Sequence, residues 1–167
     1  MKLLFPVLFT LAVIGVVGLS ASVEAQTASS PRKGATIEKL LKESGVAFEP
    51  FQGEDSFISV YEGKVNKQIS VIVIEADAAV VITTDVVAGK EVDLTPAVLR
   101  SLLEYNLKAD YIKVGISDMK SVRVQTEEVL KGLTPETFKV LIDQVAAGND
   151  EVAKIIQPVR KKAASTK

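Results

Sequence analysis

The chain has 167 residues, with 20 basic and 21 acidic side chains and a net charge of -1. No whole-chain field draws nucleic acid or anionic lipid to it, so nucleic acid is not an expected partner. Cysteine, histidine and tryptophan are all absent, which excludes disulfides, thiolate and imidazole metal sites, and every histidine-dependent triad.

The first 25 residues differ from the rest, with 17 apolar side chains among them. Lys2 supplies a short positive start, and residues 3–19 are apolar except at Pro6, Thr10, Gly15 and Gly18. Val23 and Ala25 then occupy the two positions that a signal peptidase inspects. The pattern predicts an export signal over 1–25, cleaved after Ala25, and a periplasmic or extracellular protein with no stable membrane span. An uncleaved anchor is the lesser alternative, because an apolar run of about 17 residues is at the lower limit for a span. Residues 26–34 read as a flexible polar linker and 159–167 as a basic disordered tail. Residues 35–158 remain as one domain of ordinary size.

Within that domain the apolar period changes several times. Ile37, Leu40 and Leu41 have helical spacing over 36–44, with Thr36 placed to cap the helix and Gly45 to stop it. Three β-branched runs follow at 57–61, 69–74 and 79–85, separated by short polar breaks, the signal for an antiparallel meander. The middle run is apolar on both faces, so both are expected to be at least partly covered. Thr95-Pro96 opens a second helix, in which Val98, Leu99, Leu102, Leu103 and Asn106 follow at helical spacing. Residues 111–116 and 121–126 read as a hairpin around the turn 117–120. Thr134-Pro135 repeats the helix-start device, and Phe138, Leu141, Ile142 and Val145 give a closing helix that can continue through Val152, Ile155 and Ile156. The order is helix, three strands, helix, two strands, helix: an α+β fold with an antiparallel sheet packed on helices.

Residues 102–106 (LLEYN) followed by 111–115 (YIKVG) look like the second-helix end and following strand of the YbjN family, a family of bacterial sensory-transduction regulators. Residues 122–125 and 133–138 resemble that family's last hairpin and closing helix, so the likeness spans roughly 36–156. The element order also resembles the type III secretion chaperone fold. The resemblance implies a non-enzymatic module that holds a protein or peptide partner, with a homodimer as a possible assembly. It brings no catalytic residues.

The residues themselves offer little chemistry. No catalytic, cofactor-binding or metal site is assigned. Ser30 with Lys33, and Ser117 with Lys120, have a serine–lysine spacing, but the first pair lies in the linker and the second in a hairpin turn. Glu54 with Asp55, and Glu127 with Glu128, are the acids left for a carboxylate hydrolase. Residues 149–151 (NDE) lack the spaced oxygens of a calcium loop. The alternative function is therefore a small-ligand carrier or carboxylate-dependent hydrolase, which needs converging polar groups in a concavity. Asn106 stands out as a polar residue near a helix end, suited to bonding free carbonyls or to a left-handed cap, with Tyr105 and Tyr111 beside it as core-edge residues. Phe48, Phe51 and Phe57 form an aromatic group that covers one end of the core or makes a contact patch.

Overall fold

The computed structural model describes residues 34–53 and 55–160. The export signal, residues 26–33 of the linker, Glu54 and residues 161–167 lie outside the described residues. Three helices and six strands follow in the order α1 (Ala35–Ser44), β1 (Glu49–Pro50), β2 (Ser56–Tyr61), β3 (Ile69–Ala76), β4 (Ala79–Val87), α2 (Pro96–Lys108), β5 (Lys113–Ile116), β6 (Val122–Val129) and α3 (Pro135–Ile156). The strands form one antiparallel sheet in the order β1-β2-β3-β4-β6-β5.

The α+β order holds, with one strand more than the five expected. The extra strand, β1, is only Glu49 and Pro50, paired with Ile58 and Phe57. Two residues offer no alternation to read, and proline argues against a strand except at an edge, which is where β1 lies. Tyr111 is not a strand residue. It sits at φ 62, exposed, and β5 begins at Lys113.

Helix ends follow local chemistry in two of three cases. Thr95 Oγ1 accepts the Val98 N–H and Thr134 Oγ1 accepts the Thr137 N–H, each just before a proline whose fixed φ suits the first helical position. Gly45 ends α1 in the left-handed region at φ 70, as expected. Thr36 does not cap α1. The helix opens one residue earlier behind Gly34, and Glu75 Oε2 on β3 accepts the Ile37 N–H at 3.4 Å. A tertiary carboxylate has taken the place of the local hydroxyl.

Helices cover one face of the sheet. Strand alternation puts Phe57, Val71, Val73, Val80, Ile82, Val122 and Val124 beneath them, all buried. α3 runs as a single helix of 22 residues and buries Phe138, Leu141, Ile142, Val145, Val152 and Ile156 against β3, β4 and β6. Among the described residues no helix lies over the other face of the middle strand. There Ile72 and Ile74 are half-buried beside their partners in the sheet, Ile58 and Thr83 for Ile72 and Ser56 and Val81 for Ile74. The expected cover on both faces of β3 is thus side-chain shielding on one of them.

The domain also runs past 158. Val92 pairs with Arg160, the Asp93 N–H reaches the Val159 carbonyl at 3.4 Å, and Arg160 Nη1 donates to Asn66 Oδ1 at 3.2 Å. Arg160 further pairs with Glu91 at 3.8 Å. A basic residue next to a basic tail reads as solvated, but here two loops supply its partners.

Gly148 sets how closely α3 lies on the β5–β6 end of the sheet. A Cβ there would stand 2.5 Å from Ile112 Cδ1 and 3.1 Å from Val124 Cγ1, both buried side chains. Gly148→Ala is expected to destabilise the fold by roughly 1–3 kcal/mol, the usual cost of overpacking, in spite of alanine's better helix propensity. Urea unfolding with an unchanged m-value is the check.

Candidate functional site

The second helix is the least buried of the three. Val98 and Leu102 enter the core, but Leu99, Leu103 and Leu107 do not: they are 38%, 65% and 86% exposed at a spacing of four residues. That spacing places all three along one side of α2. Ile116, 43% exposed, stands at the end of β5 beside them. Between α2 and β5 lies a groove of about 330 Å³, lined by Leu99, Leu102, Leu103, Asn106, Val114 and Ile116. Its walls are aliphatic except for Asn106.

Asn106 bonds a free carbonyl, one of the two roles that its position suggested, and finds that carbonyl on β5. It lies inside α2, which ends at Lys108, so it is not a left-handed cap. Its Oδ1 accepts the Val114 N–H at 2.7 Å, and its Nδ2 donates to the Val114 carbonyl at 2.9 Å. Tyr105 beside it is half-buried, and burial pushes its phenol up, with the charge of Glu151 adding to the shift.

A polar seam lies elsewhere, where α3 meets the loop between β2 and β3. Asp150 Oδ1 accepts the N–H groups of Val65 at 2.7 Å and Asn66 at 3.1 Å. Asn66 Nδ2 donates to Asn149 Oδ1 at 2.6 Å, and Asn149 Nδ2 donates to Thr84 Oγ1 at 2.9 Å and the Asp85 carbonyl at 3.2 Å. Burial pushes the Asp150 carboxyl up, but the backbone N–H groups of Val65, Asn66 and Lys64, with the Lys154 charge, outweigh it and hold the group below the ordinary carboxylate value. Gly63 has no room for a side chain, since a Cβ would meet Asp150 Oδ1 at 2.5 Å.

This seam borders a cleft of about 320 Å³ lined by Tyr61, Glu62, Gly63, Lys64, Asp143 and Asp150. Burial pushes the Tyr61 phenol up to about 12, and the charge of Asp143 and the hydrogen bond to it add to the shift. Asp143 also pairs with Lys139 at 2.5 Å. The cleft thus has acids in it, but Asp150 is committed to backbone and Asp143 to Lys139 and Tyr61.

The other candidates disperse. Glu127 and Glu128 are not in a loop after the last strand but within β6, as neighbours that alternation sends to opposite faces of the sheet. They cannot act as a pair. Ser117 Oγ accepts the Ser121 N–H at 3.1 Å, and Lys120 sits exposed in the same turn at φ 59. Ser117 therefore holds a hairpin turn. Glu151 pairs with Lys154 at 2.5 Å, away from Asn149 and Asp150. Asp55 holds the Glu75 N–H through its backbone carbonyl at 2.8 Å. Among the described residues no group of three His, Cys, Asp or Glu side chains could hold a metal ion, and no helix is long and apolar enough to cross a membrane. In the aromatic group, Phe57 is buried with Phe48 edge-on against it at 5.4 Å, while Phe51 is left 40% exposed.

The exposed leucine row is the feature that the sequence reading missed. Val98, Leu99, Leu102, Leu103 and Leu107 span too wide an arc for a helix that packs on one side. The surplus was visible, and Leu107 was its sign.

The chain belongs to the YbjN family. The family's pattern, described as "Putative bacterial sensory transduction regulator", matches residues 34–157. No curated protein matches the sequence. Among solved structures, the YbjN-type chain here is similar to one in the heterodimeric ExoU-SpcU complex of the type III secretion system of Pseudomonas aeruginosa: 14% identity, TM-score 0.57, covering 74% of this chain and 99% of that one. It is also similar to chains in the ExsC-ExsE complex (12% identity, TM-score 0.52, 74% and 92% covered) and in the HopA1-SchA chaperone-effector complex (11% identity, TM-score 0.53, 72% and 95% covered). At such identities the likeness is one of fold.

The polar seam makes a testable statement. Asp150→Asn is expected to cost roughly 1–3 kcal/mol, the range for weakening hydrogen bonds to a charged group. Because the native carboxyl titrates below its unfolded value, the wild-type advantage should be full above about pH 5. It should shrink as the pH falls through the ordinary value of about 3.9 and below. Chemical denaturation of both proteins across pH 3–7 reads this directly.

Proposed function

We propose that this protein is an exported, non-enzymatic binding module of chaperone-like character, which holds a protein or peptide partner on the α2–β5 face. The observation that carries the reading is the row Leu99, Leu103 and Leu107 beside Ile116. Three leucines at helical spacing, left open next to an aliphatic groove, are costly to keep in water and are the kind of surface that marks an interaction site. The fold supports the same reading, since the similar chains in the ExsC-ExsE and HopA1-SchA structures are found in complexes with other proteins. A second copy of this chain is one partner that such a face could take, because an isologous two-fold contact is the commonest assembly.

The leader of residues 1–25 carries the proposal of export. Protein recovered from an exporting cell should begin at Gln26 by intact mass, and retention of Met1 in a membrane fraction would replace export with anchoring.

The contact reading is tested by Leu103→Glu with Leu107→Glu, both exposed enough that the fold should survive, as far-ultraviolet dichroism would verify. Wild-type protein is expected to associate over a roughly hundredfold concentration range in light scattering, or to carry a co-purifying protein, and the double variant to lose at least tenfold in that association. A wild type that stays monomeric and partner-free in envelope extract, indistinguishable from the variant, would remove the α2–β5 face from consideration.

A further inference from the structure

The edge of the sheet at β5 is closed by a side chain. In an antiparallel strand, alternate residues turn both backbone groups outward, so a strand of four residues has only two outward rungs. On β5 these belong to Val114 and Ile116, because Val114 turns its N–H and carbonyl to Asn106, away from β6. Just before the strand, the Ile112 N–H is already bonded to the Asp110 carbonyl at 2.8 Å. The Asn106 amide, with one donor and one acceptor in a plane, completes the Val114 rung as a neighbouring peptide group would, at 2.7 and 2.9 Å.

We infer that Asn106 is an edge guard: it stands in for a seventh strand beside β5, leaves Ile116 as the one outward rung of β5 without a partner among the described residues, and so determines that association on the α2–β5 face proceeds through side chains and not by strand addition. An open sheet edge is a template for pairing with another chain, and the nearest available strand is β5 of a second copy. One remaining rung cannot hold such a strand. The inference rests on the preceding reading of this face for its partner, whereas closure of the edge stands on the two Asn106 bonds alone.

The test begins on the wild-type protein. After correction for intrinsic rates, the Val114 amide is expected to exchange with deuterium at least about tenfold more slowly than that of Ile116. Equal rates would overturn the guard. Asn106→Ala is then expected to speed Val114 exchange and to gain concentration-dependent, thioflavin-positive association that the wild type lacks. Adding Ile116→Pro removes the last outward N–H and should abolish that association. An Asn106→Ala protein with native dichroism and wild-type assembly would refute the inference, and so would association that survives the proline. The Leu103→Glu, Leu107→Glu variant separates the two readings. Unchanged assembly there counts against the contact face, while slow Val114 exchange in the same protein still upholds the guard.

Discussion

The packing of α3 across β3, β4 and β6 is the constraint from which the rest of the structure follows. One helix buries a row from Phe138 to Ile156 and gives the covered face of the sheet its dry side. Near its middle, Gly148 lets it approach Ile112 and β6 closely, and the next two residues turn from apolar packing to polar attachment. Asn149 and Asp150 fix the loop between β2 and β3 and the end of β4, so a single turn of helix decides both the depth and the register of docking. Buried polar groups of this kind add little net energy when satisfied, but make misdocked arrangements expensive.

With one helix covering most of the sheet, the other two have smaller tasks. α1 lies on α3 and β3. α2 packs chiefly on α3 and β5 among the described residues, and keeps a leucine row in solvent. Of the acids beside the seam, Asp150 is spent on backbone N–H groups and Asp143 on Lys139 and Tyr61. The largest unpartnered apolar features among the described residues are therefore the exposed side of α2 and the neighbouring end of β5.

Much of this could be read from residue order. The strands of the meander, the Thr-Pro helix starts and the Gly45 stop are local signals, and the structure follows them. What could not be read depended on contacts distant in sequence. Glu75 displaced Thr36 as the cap of α1, and Arg160 left the presumed tail for Asn66 and Glu91. Asn106 looked like a helix-end residue because its partner, eight positions on, is a backbone peptide with no sequence signal of its own. β1 was too short to show a period. For the candidate site the residue types were legible and the direction was not: the leucines of α2 were plain, but which of them face water depends on how far α2 leans onto α3.

The polar seam also bears on the order of events in folding. Val65 and Asn66 bond to residues 83 to 85 positions later in the chain. Closing loops of that size is entropically slow, and the helix that covers the meander follows all six strands in chain order. Until α3 docks, the apolar face of β3 and β4 lacks most of its cover. The interval before α3 docks, more than the finished fold, is when this chain is most exposed to aggregation and most dependent on whatever shields it.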